Sequence, residues 1–170
     1  AAARRAGERL RALHVLEELE ADIAKMPSPD IRRIRAYRTG QTIVKQALLP
    51  SSEFETLQSL RDKIAVLLAG RVAEELLLGS SSNLGAKDLL VANRLANDIE
   101  ARFGLGQSGL VTTATQSASA AHASFVREHL ELAEDVATRV LVEKKLELEE
   151  GVRRAMFSLE ATGGRAGTLH

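Results

Sequence analysis

The residues best suited to chemistry in this 170-residue chain are a glycine run, four histidines and several paired acids, and their spacing restricts what each can do. GLGQSG sets Gly104, Gly106 and Gly109 in a literal G-x-G-x-x-G, the spacing that lets backbone amides approach a pyrophosphate. That use needs a strand before the run and a helix after it. Here helical sequence precedes and loop sequence follows, so the run reads as a helix stop and a turn. No G-x-x-x-x-G-K-[ST] occurs, and Ser108 lacks the second glycine of a nucleophile elbow because Leu110 takes that place. His122 and His129 stand about two helical turns apart, roughly 10 Å, too far to share one metal. Together with His14 and His170 they read as exposed or interfacial histidines. Glu17-Glu18, Glu74-Glu75 and Glu149-Glu150 are adjacent pairs whose side chains diverge on a helix, and most read as solvated faces. Glu74 and Glu75 differ because they lie inside the apolar IAVLLAGRVAEELLLG, where Arg71 is a turn away and can pair with either.

Composition narrows the frame that positions these groups. Lys+Arg and Asp+Glu are both 23, so no global field draws the chain to nucleic acid or anionic lipid. With no cysteine, thiolate zinc sites, disulfides and cysteine nucleophiles are excluded. The apolar runs are too short to cross a bilayer. The start AAARRAGERLRAL, without methionine, reads as an excised domain or as a mature form left after a targeting peptide is removed.

Aromatic residues make up 3% of the chain and Ala, Leu, Glu and Arg dominate, which is helix chemistry. The fold class expected is mainly α, a compact helical bundle with little or no β. A first helix is expected over about 3–26 from the stripe Leu10, Leu13, Leu16, Leu19, Ile23 and Met26. PSPD stops it, and Asp30 is placed to cap a second helix over about 31–48. LPSSEFE breaks the chain before a third helix, about 53–78, with Gly79 as its left-handed cap. SSSNLGA is a polar loop before a fourth helix that ends at Gly104. After an irregular GLGQSGLVTTATQSAS, helices over about 120–142 and 143–159 are expected to form an antiparallel pair, followed by a frayed tail. The domains expected are an N-terminal helix and linker over 1–29, a helical domain over 30–160 and a flexible tail over 161–170.

KIAVLLAGRVAEELLLG (Lys63 to Gly79), followed by GAKDLLVANRLANDIEARFGLG (Gly85 to Gly106), resembles the peptidase domain of the FtsH-type AAA zinc proteases, peptidase family M41. The resemblance extends from about Asp30 to Val142 with gaps. It implies that Asp88 stands at the family's third zinc ligand, with one residue fewer than usual between the GA turn and the aspartate. It also lays the family's H-E-x-x-H helix over RRIRAYRTGQTIV (Arg32 to Val44), with Gly40 as the shared glycine. The two histidine places then hold Tyr37 and Gln41, and the place of the catalytic glutamate holds Arg38. Shifting the register by one residue recovers no histidine.

These departures bear on the chemistry. A catalytic zinc takes about three protein ligands and an open water position. Phenol and amide do not replace two imidazoles, and a guanidinium cannot act as a general base. Arg38 could instead pair with Asp88. The segment KQALLPSSEFETLQSLRDKIAV also leaves little room for the family's substrate-holding edge strand. No catalytic residue, metal or cofactor is therefore expected, with Asp88 a vestigial ligand position. The function expected is a catalytically inactive relative serving as a scaffold or subunit. Its expected partners are proteins of a larger assembly, an AAA ATPase ring or an organellar membrane complex, without nucleic acid and without a membrane span of its own. The location expected is a chloroplast or mitochondrion, with the cytoplasmic face of a bacterial inner membrane as the alternative. The competing readings are an active ATP-dependent zinc protease domain with ligands from other positions and, last, a nucleotide binder through GLGQSG.

Overall fold

Ser28 and Pro29 show how local chemistry sets the helix boundaries. The Ser28 carbonyl accepts the Arg32 amide at 3.2 Å and Pro29 is the first helical residue, where its missing N–H costs nothing. Asp30, expected as the cap, lies inside the first turn, where its charge still favours the helix start. The structure is a computed structural model describing residues 2–25, 28–48, 54–110 and 120–163. Among them are six α-helices: α1 (Ala2–Ala24), α2 (Pro29–Leu48), α3 (Leu57–Leu78), α4 (Ala86–Ala101), α5 (Ala120–Glu143) and α6 (Lys145–Gly163). A 3-10 turn, Asn83–Gly85, precedes α4, and no strand occurs among the described residues. The mainly α reading from composition is therefore correct. Residues 111–119 of the expected irregular segment, 164–170 of the expected tail and Met26 of the expected first helix lie outside the described residues, whereas 161–163 belong to α6.

The start of α3 falls at Leu57, four residues later than expected at Glu53, because a capping box fixes it. Thr56 Oγ1 accepts from the Ser59 amide at 3.1 Å, and Ser59 Oγ accepts from the Thr56 amide at 2.8 Å. At the other end Gly79 has φ 75° and its amide bonds the Glu75 carbonyl, the left-handed cap read from the sequence.

Within the fold α3 is the central helix. It packs against α2, α4 and α5 and buries residues around its whole circumference, among them Leu60, Ile64, Leu68 and Val72. Its closest neighbour is α2. At Gly40 an added Cβ would lie 2.4 Å from Ala73 Cβ and 3.0 Å from the Ala69 carbonyl oxygen. Three small residues thus set the α2–α3 separation.

The last two helices do not form the expected antiparallel pair. Only Lys144 separates them, and the hydrogen-bond ladder runs through it: its amide bonds the Val140 carbonyl, and its carbonyl accepts from Leu148. A chain reversal needs a loop, and none is present. The α6 helix instead packs against α1 and α2, closely enough that a Cβ at Gly151 would come 2.6 Å from Thr39 Cγ2. The stripe of α1 is buried only toward its C-terminal end, at Leu19 and Ile23. Leu10 and Leu13 remain 68% and 57% exposed.

Substituting Gly40→Ala should lower stability by about 1–3 kcal/mol through overpacking, read as the urea midpoint. Gly7→Ala, which meets nothing within 4 Å, should cause no loss. Equal midpoints for both variants would show that the crossing is not a tight one.

Candidate functional site

Tyr37 and Gln41 stand one turn apart on α2 and so share a face. Asp88 lies in the first turn of α4, at the helix end that favours negative charge. The two elements meet through these side chains. The Tyr37 hydroxyl donates to Asp88 Oδ2, and Gln41 Nε2 donates to the same oxygen at 2.8 Å. The two places that the resemblance assigns to histidines thus bind Asp88, the place it assigns to the third ligand, and the structure brings together three of the four positions singled out from the sequence.

Two glycines make the space. A Cβ at Gly70 on α3 would come 2.5 Å from the Tyr37 ring, and one at Gly85 would come within 3.2 Å of it. Tyr37 is 8% exposed. Burial, then the bond to Asp88 and its negative charge, then the charge of Glu74, push the phenol well above its ordinary pKa. The hydroxyl therefore stays a neutral donor at any working pH.

The fourth position does not join. Arg38 is exposed, and its carbonyl accepts from Thr42 Oγ1 at 3.0 Å. The pairing of Arg38 with Asp88 does not form. Position 38 lies about 100° around the helix from position 37, where its side chain is exposed.

A buried carboxylate holds the turn that delivers Asp88. Glu74, fully enclosed, accepts from Ser82 Oγ at 2.7 Å and from the Ser82 amide at 3.1 Å. Arg33 reaches across from α2, 3.3 Å from Glu74 and 2.8 Å from the Ser80 carbonyl. Arg71 pairs with Glu75 and Glu134, at 3.5 and 4.0 Å, and not with Glu74. Neighbouring positions on α3 face opposite partners, so one arginine could not serve both acids.

Zinc does not fit these donors. The oxygen of Asp88 that faces α2 already accepts two hydrogen bonds, Gln41 presents its amide nitrogen, and the phenol resists ionisation. Among the described residues no group of three or more His, Cys, Asp or Glu could hold a metal ion.

The glycine run serves a different anion, one the protein supplies itself. Glu100, near the end of α4, is 1% exposed. Its oxygens accept from the Gln107 amide at 3.1 Å and the Ser108 amide at 2.9 Å. Gly106 is required there, since a Cβ would meet Glu100 Oε1 at 2.0 Å. Gly104 and Gly109, both at φ 63°, turn the chain around the carboxylate. His129, expected to be exposed or interfacial, is 2% exposed and closes the nest, with Nε2 at 2.7 Å from Glu100 Oε1. Arg61 Nε donates to His129 Nδ1 at 3.2 Å, which places the ring proton on Nε2. His122, 2.7 Å from Asn97 Oδ1, belongs to a different contact. Burial drives Glu100 upward, but the Ser108 backbone and side chain, His129 and the Gln107 backbone outweigh it and hold the carboxyl at about 2.

The profile of peptidase family M41 matches residues 31–166. An ATP-dependent zinc metalloprotease FtsH from Methylibium petroleiphilum strain PM1 is 36% identical over 104 residues, covering 59% of this chain and 17% of that protein. The proteins of the same name from Methylococcus capsulatus strain Bath and Pseudomonas putida strain F1 are 29% and 35% identical. They cover 68% and 61% of this chain, and 21% and 17% of their own lengths. The chain thus spans about a fifth of the relatives it matches.

The Glu100 nest predicts an acid-sensitive fold. A carboxyl held near 2 instead of 4.5 contributes stability that is fully present above pH 4.5 and is lost as pH falls toward 2. Its size is on the order of 3 kcal/mol. Urea midpoints measured across that range should fall in the native chain. In Glu100→Gln they should start lower and fall less; parallel curves would refute the assignment.

Proposed function

The chain belongs to peptidase family M41, and from that premise we propose that it is a non-proteolytic member of the family, a scaffold or subunit of a larger protein assembly. The observation that carries this reading is the double hydrogen bond from Tyr37 and Gln41 to Asp88. In a zinc peptidase these three places would present lone pairs to a cation; here two of them present protons to the third. Arg38, where a water-activating carboxylate would be needed, carries a permanent positive charge. The positions of the family's site have thus become a polar joint between α2 and α4.

On this reading the useful surfaces are helix faces. We assign the family's helical domain to 30–160, a leading helix and linker to 1–29 and a tail to 161–170, the first three residues of which complete α6. The relatives are ATP-dependent by name, which supports a protein assembly that includes an AAA ATPase ring as the partner. We place that assembly at a membrane, bacterial or organellar, reached through partners. Among the described residues no helix is long and apolar enough to cross one.

Metal content and cleavage test the proposal together. Purified without chelator, the native chain should carry zinc far below one equivalent by plasma emission and leave casein intact. The variant Tyr37→His, Arg38→Glu, Gln41→His rebuilds the donor set on the same helix face and should take up close to one zinc. Stoichiometric zinc in the native chain, with casein cleavage abolished by Asp88→Ala, would replace this reading with an active protease using unexpected ligands.

A further inference from the structure

The α1 helix is attached by its C-terminal end. Ile23 packs with Ala36 of α2 and Val152 of α6, and Leu19 is buried nearby, whereas Leu10 and Leu13 face solvent. A cavity of about 410 Å³, lined by Glu20, Ile23, Ala24, Arg32, Leu77 and Leu78, lies at the same joint. The attachment is therefore narrow and incompletely packed.

Its polar part depends on one lysine. Lys145 Nζ is 2.7 Å from Glu20 Oε1 on α1 and 3.6 Å from Glu149 Oε1, one turn along α6. Glu149 is 0% exposed, and neither of its carboxylate oxygens has a hydrogen-bond partner. Beyond Lys145, the charged neighbours do not relieve it. Glu20 adds negative charge from α1. Arg35 of α2 is buried with Nη1 unpartnered, and among the described residues it makes no ion pair with Glu149. On α6 itself, Arg153 lies a turn beyond with Nε unpartnered. At the end of α5, Lys144 is bound to Glu147 at 3.1 Å. A carboxylate enclosed without donors is disfavoured as an anion, and the lysine closest to it is shared with a second acid.

We propose that α1 is a proton-operated clamp, held on α6 while Glu149 carries a proton and released when Glu149 ionises. The ionised carboxylate can regain water by opening the α1–α6 contact, where α1 is held only by its C-terminal part. Burial pushes the Glu149 carboxyl up to about 7; Lys145 opposes the shift and Glu20 adds to it. A carboxyl raised in the docked form and ordinary in the released form favours docking below pH 4.5. Docking then weakens as pH rises through 7 and levels off above it. The weakening of docking thus falls mainly between pH 4.5 and 7.

The absence of cysteine allows a direct test on the full chain. Nitroxide labels at Ala12→Cys and Arg139→Cys, both exposed, report the α1 position by electron–electron double resonance. At about pH 5.5 a single distance is expected. At about pH 8.5 a second, broader population should appear, with the docked-to-released ratio reduced roughly tenfold or more. Glu149→Gln should give the single distance at both values. Glu20→Gln, which frees Lys145 for Glu149, should move the midpoint downward. Identical distributions at both pH values in the native chain, a pH response that survives in Glu149→Gln, or an unmoved midpoint in Glu20→Gln would each overturn the clamp.

Discussion

The close crossing of α2 over α3, where Gly40 meets Ala73 and Ala69, governs most of what surrounds it. Small residues at a helix crossing let two backbones approach more nearly than packed side chains permit. Because α2 lies so near, Tyr37, one turn before Gly40, must place its ring against α3, and it can do so only where Gly70 leaves a gap. The ring then passes α3 and brings its hydroxyl to the start of α4. A bulkier residue at any of these points would separate the helices or turn the ring outward. The polar joint is a consequence of backbone spacing before it is a matter of side-chain chemistry.

Two enclosed carboxylates organise the turns at the opposite ends of α4. Glu74 gathers Ser82 and Arg33 at its beginning, and Glu100 gathers Gln107, Ser108 and His129 beyond its end. Each replaces the water it loses with backbone and side-chain donors, the condition under which a buried charge is tolerated. Glu149 is the exception, enclosed as fully but lacking such donors. The contrast separates carboxylates that hold the architecture from one that is poised to change.

Helices were legible in the sequence because composition, proline and glycine all pointed the same way. The mistaken hairpin at α5–α6 had a visible warning, since VEKKLE holds only helix formers and no residue able to reverse the chain. The burial of His129 could also have been read, because Val126, Ala133 and Ala137 place it on an apolar face at helical spacing. The bonds from Tyr37 and Gln41 to Asp88 could not, since they join residues 51 and 47 positions apart. Sequence placed these three at related positions; only the packing of α2 on α3 shows that they touch. Glu100 left no signal until the loop around it was seen, because a glycine spacing suited to phosphate suits any small anion equally well.

The continuity of α5 into α6 through Lys144 carries a consequence for how the chain assembles. With no reversal at that point, α6 is carried past the core formed by α2 to α5 and over α1, so that Lys145 meets Glu20 across 125 residues of sequence. Closing so long a loop costs entropy that only the joint itself repays. Among the described helices α1 therefore completes its packing last, once α6 has been made.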